Sequence, residues 1–254
     1  MKPILLKEMF NKTAKAVFFL GFMIYLIWWF FMLIYGRNPL RETSPKDIKK
    51  IYLNRNLVNK EIFDYIRNQK IKFDLVETKV LDKMVGPNHQ GLVIDVFDYK
   101  YYNMDSVTED FVVVLDHIED PHNFGAIIRS CECAGVKTII IPKNRACLVN
   151  STVVKVSCGA INNVKIVMVN NLLDAINKLK KENYFIYGAD MIGEDFHTID
   201  YSGKKCLIVG NEGKGISKLV KESCDFIIKI PMKGEINSLN ASVATGIILF
   251  EMIR

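Results

Sequence analysis

The chain has 254 residues, of which 50% are apolar and 24% charged, so it is long enough for one large or two modest domains and too apolar for a disordered protein. Its six cysteines lack the spacing of a four-ligand zinc site, which favours reduced core thiols over metal ligands. Cys131 and Cys133 form a single C-x-C motif, which is weak evidence for a metal site. The net charge of +6 is concentrated in the first hundred residues, a balance that suits a phosphate-rich partner or an ordinary solvated surface.

The chain begins with an apolar segment, residues 1–31, that continues into residues 32–36. No charge occurs from Ala16 to Gly36, and these twenty-one residues are enough for a helix to span a bilayer. Residues 33–36, LIYG, also have the pattern of a short strand at the start of a folded domain. A spanning helix must satisfy its peptide groups internally, whereas a strand pairs them with neighbours. The sequence therefore leaves two competing predictions for this segment.

Residues 32–97 predict a small α/β domain. An amphipathic helix is expected in VNKEIFDYIRNQK, and strands are expected in KFDLVE and after Gly91. This part of the chain carries most of the basic excess, since residues 32–100 contain thirteen Lys and Arg against nine Asp and Glu. The polar, tyrosine-rich stretch 98–110 is expected to be a linker.

Residues 111–254 predict a second domain in which strands and helices alternate. Apolar strand patterns occur in FVVVLDHI, KTIIIP, VKIVMV, YFIYGAD, KCLIVG and FIIKIP, with helical patterns between most of them. This alternation predicts a parallel sheet covered on both sides, in which ligands bind beyond the carboxyl ends of the strands. Three polar loops are expected at those ends: EDPHNFG, GNEGKGIS and PMKGEINSLNAS.

The first loop opens into a predicted helix, HNFGAIIRSCECAG. Asn123 is expected to cap its start and Gly135 to end it. Arg129 interrupts the apolar pattern among small neighbours, and its side chain is expected to lean toward Asn123 and the free amides of the first turn. Such an arrangement suits an anion or a polar substrate. An exposed arginine paired with Glu132, three residues on, explains the pattern equally well.

The second loop, GNEGKGIS, places three glycines between a strand and a helix. Glycine there permits a positive φ and the close approach of a ligand, although a plain turn would have the same composition. The spacing G-x-x-G-x-G is not the dinucleotide fingerprint, and the Lys-Ser/Thr ending of a Walker loop is missing. A nucleotide phosphate loop is therefore disfavoured.

The third loop, PMKGEINSLNAS, crowds polar residues at the start of an apolar helix: Asn237, Ser238, Asn240 and Ser242. One helix cap needs only one such residue. The surplus suits the polar edge of a ligand, with Ile230 and Leu239 as apolar walls. A capping cluster whose spare groups face solvent is the alternative.

Together NFGAIIRS, IVGNEGKGIS and IPMKGEINSLNASVATGI resemble, in order and spacing, the three motifs of the SpoU/TrmH family of S-adenosylmethionine-dependent RNA 2′-O-ribose methyltransferases. This resemblance covers residues 111–254. Three further segments, YGRNPLRE, HQG and VKVSCGAINNVKI, most resemble the bacterial enzymes that methylate a guanosine ribose in 23S ribosomal RNA, which extends it to residues 32–254. The resemblance implies that reaction. A transfer-RNA ribose methyltransferase and a non-catalytic RNA-binding relative are the alternatives.

The fold that the resemblance implies is a small α/β RNA-binding domain followed by a parallel-sheet methyltransferase domain of the SPOUT type, with a deep C-terminal trefoil knot. Two methyltransferase domains are expected to pack as a homodimer. S-adenosyl-L-methionine is the implied cofactor, with Gly210, Ile230 and Leu239 as its clearest contacts. The residues expected nearby are Asn211, Glu212, Gly213, Met232 and Asn240.

The resemblance assigns the activation of the ribose hydroxyl to Arg129, with Asn123 and Glu212 as organisers. A guanidinium has a pKa of about 12 or higher, so we expect Arg129 to hold a phosphate and stabilise the developing alkoxide instead of removing a proton. A phosphate oxygen or water would then take the proton. No metal is needed, because the sulfonium methyl group is already activated.

The resemblance also bears on the first segment of the chain. If residues 33–36 form the first strand, residues 32–254 are expected to be the functional cytoplasmic enzyme. Residues 1–31 are then either the product of a misassigned start upstream of Met32 or a helical extension that ends before Leu33. If residues 16–36 span a bilayer, a membrane-tethered interaction protein is expected instead.

Overall fold

The computed structural model describes residues 32–57, 59–235 and 238–254. Their contacts divide the chain into two compact units. One contains the described residues up to Arg37 together with Ser44–Asp98, and the other contains Asn38–Thr43 and Tyr99–Arg254. We call them the small unit and the large unit.

The small unit is built on a four-stranded mixed sheet. Its strands are β1 (Met32–Tyr35), β2 (Ile48–Asn54), β3 (Phe73–Val76) and β4 (Leu92–Val96), in the order β1-β4-β2-β3. The helices in this part of the chain are α1 (Arg37–Glu42), α2 (Lys60–Asn68) and α3 (Thr78–Val85). β2 and β3 run parallel on either side of α2 in the chain, as a crossover connection allows, whereas β4 runs antiparallel to β1 and β2. All five residues of β4 are buried, so this strand forms the centre of the small core.

The strand β1 settles the competing predictions for residues 33–36. It pairs antiparallel with β4, from Met32 opposite Val96 to Tyr35 opposite Val93. A membrane-spanning helix that continues to Gly36 is therefore wrong for these residues, because their peptide groups belong to the sheet. The predictions for residues 1–31 lie outside the described residues. In the part of the chain that the structure describes, no helix has the length and apolar character needed to cross a membrane.

The large unit is a parallel sheet with helices on both faces, as the alternation predicts. Its strands are β5 (Phe111–Asp116), β6 (Thr138–Pro142), β7 (Lys165–Val169), β8 (Phe185–Asp195), β9 (Lys205–Gly210) and β10 (Phe226–Lys229). They lie in the order β10-β8-β9-β5-β6-β7, and every neighbouring pair is parallel. Its helices are α4 (Pro121–Cys133), α5 (Ser151–Val156), α6 (Leu172–Lys181), α7 (Lys218–Glu222) and α8 (Ala241–Met252).

The strands of the large unit send alternate side chains to two apolar clusters. On β5, Val113 faces the cluster that contains Phe124 of α4 and Leu249 of α8. Its neighbour Val114 faces the cluster that contains Ile176 of α6. The helices thus cover both faces, and the loops after β5, β9 and β10 all leave the sheet at its carboxyl edge. The trefoil knot implied by the resemblance stays a prediction.

The predicted linker is 98–110, and its residues 99–110 are packed against the rest of the large unit. The hydroxyl of Tyr101 accepts a hydrogen bond from the backbone amide of Val149 at 2.8 Å. Glu109 pairs with Lys165 at 2.8 Å and accepts from the hydroxyl of Thr138 at 2.7 Å. Burial alone would raise the pKa of the Glu109 carboxyl, but these donors outweigh it and hold the pKa at about 2. Residues from Tyr99 on therefore belong to the large unit instead of joining the two.

The six cysteines are all free. Cys131 and Cys206 are buried, and burial raises the pKa of both thiols. Cys133 and Cys158 are exposed, so the prediction of core thiols is wrong for these two. Cys158 instead lies beside Arg129, in the turn that follows α5.

Candidate active site

Asn123 lies at the centre of a hydrogen-bond network that joins the three predicted loops. Asn123 lies in the first turn of α4 and is 8% exposed. Its amide nitrogen donates to Oε1 of Glu212, in the loop after β9. Its amide oxygen accepts from Nδ2 of Asn240, 2.9 Å away, immediately before α8. Segments as far apart in sequence as 117 residues therefore meet at one buried amide.

The prediction that Asn123 caps α4 is wrong. The cap is Asp120, whose carboxylate accepts from the backbone amide of His122 at 2.9 Å. Pro121 follows at the first helical position, where a proline costs nothing because the first amides have no helical partner. The side chain of Asn123 is therefore free to bind the other two loops. The end of the helix is as predicted, since Gly135 follows it with a φ of 77°.

Arg129 is exposed on α4, about two turns beyond Asn123. Its Nη1 lies 3.7 Å from Sγ of Cys158, and it makes no hydrogen bond to Asn123, so the expected lean toward that residue is not seen. The pairing with Glu132 is also wrong, because that carboxylate faces Lys137 at 3.7 Å. Among the described residues no carboxylate pairs with Arg129. Its charge is therefore available to an anionic substrate.

Close packing of two helices brings Cys158 to Arg129. A Cβ on Gly125 of α4 would lie 2.7 Å from Cβ of Val156 at the end of α5, which is closer than side chains approach. The glycine therefore allows α5 to lie directly against α4. Gly125, one of the small neighbours of Arg129, therefore serves to pack the two helices.

The loop after β9 closes on itself around Gly210. The backbones of Asn211 and Gly215 exchange two hydrogen bonds, of 3.1 and 2.8 Å. A Cβ on Gly210 would lie 2.1 Å from the carbonyl carbon of Gly215, so no side chain fits there. Gly215 itself has a φ of 66°, in the left-handed region that favours glycine. Gly210 and Gly215 are thus required, and at Gly210 the close approach is that of the loop's own backbone, whereas a Cβ on Gly213 would lie 3.6 Å from its nearest neighbour, Oδ1 of Asn211.

Two hydrogen bonds fix this loop to the carboxyl end of β5. The side-chain amide of Asn211 donates to the carbonyl oxygen of His117 at 3.0 Å. Asp116, which is 1% exposed, accepts from the backbone amide of Ser217 at 2.6 Å and shares a 2.5 Å hydrogen bond with Nδ1 of His117. These bonds hold the loop so that Glu212 meets Asn123. Asp116 was not predicted as a site residue, because its only signal in the sequence is a carboxylate at the end of an apolar strand.

The segment after β10 presents apolar side chains and peptide groups that pair with no other residue in the described part of the chain. Met232 and Leu239 are each 38% exposed, while Ile230 is half-buried against the core. No backbone hydrogen bond joins residues 231–235 or 238–239 to another residue that the structure describes. A purine ring binds between apolar surfaces, and its polar edge pairs with such peptide groups. This segment therefore fits the adenosine of the implied S-adenosylmethionine.

The polar cluster at the start of α8 is used partly as a cap. The amide oxygen of Asn240 accepts from the backbone amide of Ser242 at 2.9 Å and from its hydroxyl at 2.6 Å. The capping alternative is therefore right for these two residues. The nitrogen of Asn240 nevertheless serves the site, since it donates to Asn123. Ser238 is exposed, and Asn237 lies outside the described residues.

The sequence of the chain matches two known protein families. It matches the SpoU rRNA Methylase family over residues 110–250, which include all three loops. It matches the family described as RNA 2′-O ribose methyltransferase substrate binding over residues 33–102. The chain belongs to the SpoU rRNA methylase family. It is accordingly a methyltransferase that acts on RNA with S-adenosylmethionine as its cofactor.

Relatives of this SpoU methylase align with most of its length. It is 37% identical over 235 residues to the TrmH family tRNA/rRNA methyltransferase YacO of Bacillus subtilis (strain 168), a match that covers 87% of this chain and 94% of YacO. It is 36% identical over 237 residues to a TrmH family tRNA/rRNA methyltransferase of Staphylococcus haemolyticus, covering 88% of this chain and 95% of the relative.

Solved structures share the fold of both units. The SpoU methyltransferase AviRb from Streptomyces viridochromogenes, in complex with the cofactor AdoMet, is similar with a TM-score of 0.76 and 24% identity, over 88% of this chain and 90% of AviRb. The AdoMet-bound rRNA methyltransferase from Sinorhizobium meliloti gives 0.74 and 24%, over 88% and 87%. The TrmH/SpoU tRNA modifying enzyme of A. aeolicus is 33% identical with a TM-score of 0.53, over 57% of this chain and 75% of that enzyme.

Proposed function

We propose that this SpoU methylase methylates the ribose 2′-hydroxyl of a guanosine in 23S ribosomal RNA, in the cytoplasm. The observation that carries the proposal is the meeting of the three motif loops at Asn123, with Arg129 on the same helix. Among the described residues no carboxylate pairs with Arg129, which supports a role for its charge in binding an anionic substrate. A cation at this position suits methyl transfer to an RNA hydroxyl, because each ribose of an RNA substrate lies beside a phosphate.

S-adenosylmethionine, held by the loops after β9 and β10, would supply a methyl group activated by its sulfonium. The sulfur would keep the electron pair of the carbon–sulfur bond when the methyl carbon passes to the ribose oxygen. Arg129 holds the adjacent phosphate and stabilises negative charge that develops on the ribose oxygen. An arginine side chain is a poor base, so the hydroxyl proton passes to a phosphate oxygen or water.

Asn123 and Glu212 organise this site. Asn123 holds the loops after β9 and β10 against α4, through Glu212 and Asn240. The residues proposed to contact the cofactor follow from the resemblance and from these loops: Gly210, Asn211, Gly213, Ile230, Met232, Leu239 and Asn240. Gly210 acts by letting the loop close, whereas Met232 and Leu239 offer exposed apolar contacts.

The small unit supports ribosomal over transfer RNA. Its match to the substrate-binding family and its basic balance suit an RNA-presenting role. The fold of the rRNA methyltransferase from Sinorhizobium meliloti is shared over 88% of this chain, whereas the tRNA modifying enzyme of A. aeolicus is matched over 57%. The transfer-RNA reaction remains the alternative, since the relatives' names include both RNAs.

The exposed face of α8 supports a homodimer of the large unit. Its apolar side chains recur along one side of the helix and are 39–53% exposed: Val243, Ile247, Phe250 and Ile253. The opposite side packs into the core through Ile248 and Leu249. A helix that is apolar on both sides buries the second side against a partner. A second copy of this helix, with the same chemistry, is the proposed occupant.

Mapping ribose methylation tests the proposed function. In a deletion strain, one guanosine of 23S RNA should lose its 2′-O-methyl group and regain it with the wild-type gene but not with Arg129→Ala. Loss of a methyl group from transfer RNA instead would establish the alternative. Dimerisation is tested by sedimentation of Phe250→Glu, which should be monomeric; Lys218→Glu, at an exposed position on α7, is the control and should remain a dimer.

A further inference from the structure

A cleft opens at the carboxyl edge of the sheet in the large unit. It has a volume of 740 Å³ and is lined by residues that follow β5, β6, β7 and β9 and by the first turns of α6 and α7. The groups assigned to the cofactor follow β9 and β10, whereas most of this cleft follows β5, β6 and β7, and Asn211 belongs to both sets. The cleft therefore shares only the loop after β9 with them. Its size is that of a site for one or two nucleotides.

The lining carries positive charge that the fold does not use. Its cations are Arg145, Lys214 and Lys218. Arg145 and Lys214 make no ion pair with any described residue, and Lys218 meets only Glu222, 3.9 Å away on the surface. Of the two carboxylates, Asp116 is enclosed and already bound by Ser217 and His117, which leaves Glu119 as the only other negative charge.

Arg145 is held at the cleft by a backbone conformation that side chains rarely adopt. Its φ is 53°, in the left-handed region. The loop is fixed on both sides, because the amide of Lys143 donates to the carbonyl oxygen of Val169 and the amide of Cys147 donates to that of Ile118, each at 2.8 Å. Strain of this kind persists where the surrounding structure imposes it, and it is concentrated at ligand sites.

Amide side chains complete the lining beside the cations. Asn144 follows β6, and Asn170 follows β7. Asn171 caps the ten-residue helix α6, whose first amides face the same end of the sheet. Arginine, lysine and amide side chains are the groups that contact phosphate and sugar oxygens in protein–nucleic acid complexes.

We propose that this cleft binds the sugar–phosphate backbone of the substrate RNA beside the methylated nucleotide, with Arg145 and Lys218 on its phosphates. The proposal rests on the proposed function only in that the substrate is RNA; it holds for ribosomal or transfer RNA. An RNA strand in the cleft lies against the loop after β9, which also carries Glu212 of the active site. The cleft thus extends the active site along the strand and positions the target ribose.

The test replaces the two cations by glutamine in the full chain, as Arg145→Gln, Lys218→Gln and the double variant. Binding of a 23S RNA fragment and of a transfer RNA is measured over a series of salt concentrations. Each substitution should weaken binding of the substrate RNA about three- to ten-fold and lower the slope of log affinity against log salt by about 0.7 to 0.9. Lys181→Gln, at the far exposed end of α6, is the matched control and should change neither quantity.

Three results would overturn the proposal. The double variant could bind RNA with wild-type affinity and salt slope. Arg145→Gln could weaken binding of free guanosine monophosphate and leave RNA binding unchanged, which would make the cleft a nucleotide site. Either variant could lose affinity for S-adenosylmethionine in calorimetry, which would make it part of the cofactor site. Failure of the 23S assignment is seen separately, in the wild-type protein, as methylation of transfer RNA instead of the 23S fragment.

Discussion

Replacing Asn123 by alanine tests the central hydrogen-bond network. The substitution removes one hydrogen bond to the charged Glu212 and one to the neutral Asn240. A bond to a charged group contributes about 1.5 kcal/mol at the lower end of its range, which applies because Glu212 is exposed, and the neutral bond contributes about 1 kcal/mol. In a helix, alanine is more favourable than asparagine by up to about 0.7 kcal/mol, which offsets part of this loss. The net cost to the free energy of unfolding is about 2 kcal/mol.

Urea unfolding measures that cost, with His122→Ala as the matched control. His122 precedes Asn123 on the same turn of α4 and is exposed, so its truncation should change the free energy of unfolding by about 0.5 kcal/mol at most. Asn123→Ala should also weaken cofactor binding and slow methyl transfer, because the loops after β9 and β10 lose their common anchor. Equal stability and equal turnover in the two variants would refute the role assigned to Asn123.

Three further predictions concern single positions. Arg129→Ala should abolish methyl transfer and leave the affinity for S-adenosylmethionine in calorimetry nearly unchanged; a large loss of that affinity would mean the arginine belongs to the cofactor site. Gly210→Ala should lower the free energy of unfolding by about 2 kcal/mol or more, because its Cβ would lie 2.1 Å from backbone, whereas Gly213→Ala, 3.6 Å from its nearest side chain, should have a far smaller effect on urea unfolding. The pKa of Glu109 is lowered to about 2 in the folded protein. Its ionised carboxylate therefore contributes about 1–3 kcal/mol to the free energy of unfolding above the unfolded pKa of about 4.5, and this contribution is lost as the pH falls toward 2. The difference in stability between the wild type and Glu109→Gln should therefore shrink on acidification, and a constant difference would contradict the ion pair with Lys165.

The parallel sheet was predictable because its strands are buried on both faces. The sequences of such strands are nearly continuous apolar runs. Strand β5, for example, has five consecutive buried residues from Val112 to Asp116. Helix α3 was not predicted, although its apolar residues Val80, Leu81, Met84 and Val85 recur at helical spacing. It has only eight residues, of which Leu81 alone is buried, and so short an apolar pattern does not distinguish a helix from other structure.

The network around Asn123 could not be predicted from local pattern. Capping rules consider neighbours within about three residues, and they placed Asn123 at the helix start. Its partners lie 89 and 117 residues away, and only the fold brings them to it. The motif resemblance identified all three residues as functional, yet it gave no reason for Asn240 to contact Asn123. The cleft at Arg145 was missed for the same reason, because its lining comes from loops after four different strands.

Asn240 joins the outer helix of the large unit to its interior. One end of its side chain begins α8, and the other end holds Asn123. In the proposed homodimer, contact along α8 would order its first turn, and the same amide would transmit that order to the catalytic loops. Such linkage is reciprocal: the factor by which pairing of subunits tightens cofactor binding equals the factor by which cofactor tightens pairing. Specific activity would then fall when the enzyme is diluted and recover when the cofactor concentration is raised. The activity would therefore depend on the enzyme concentration through Asn240.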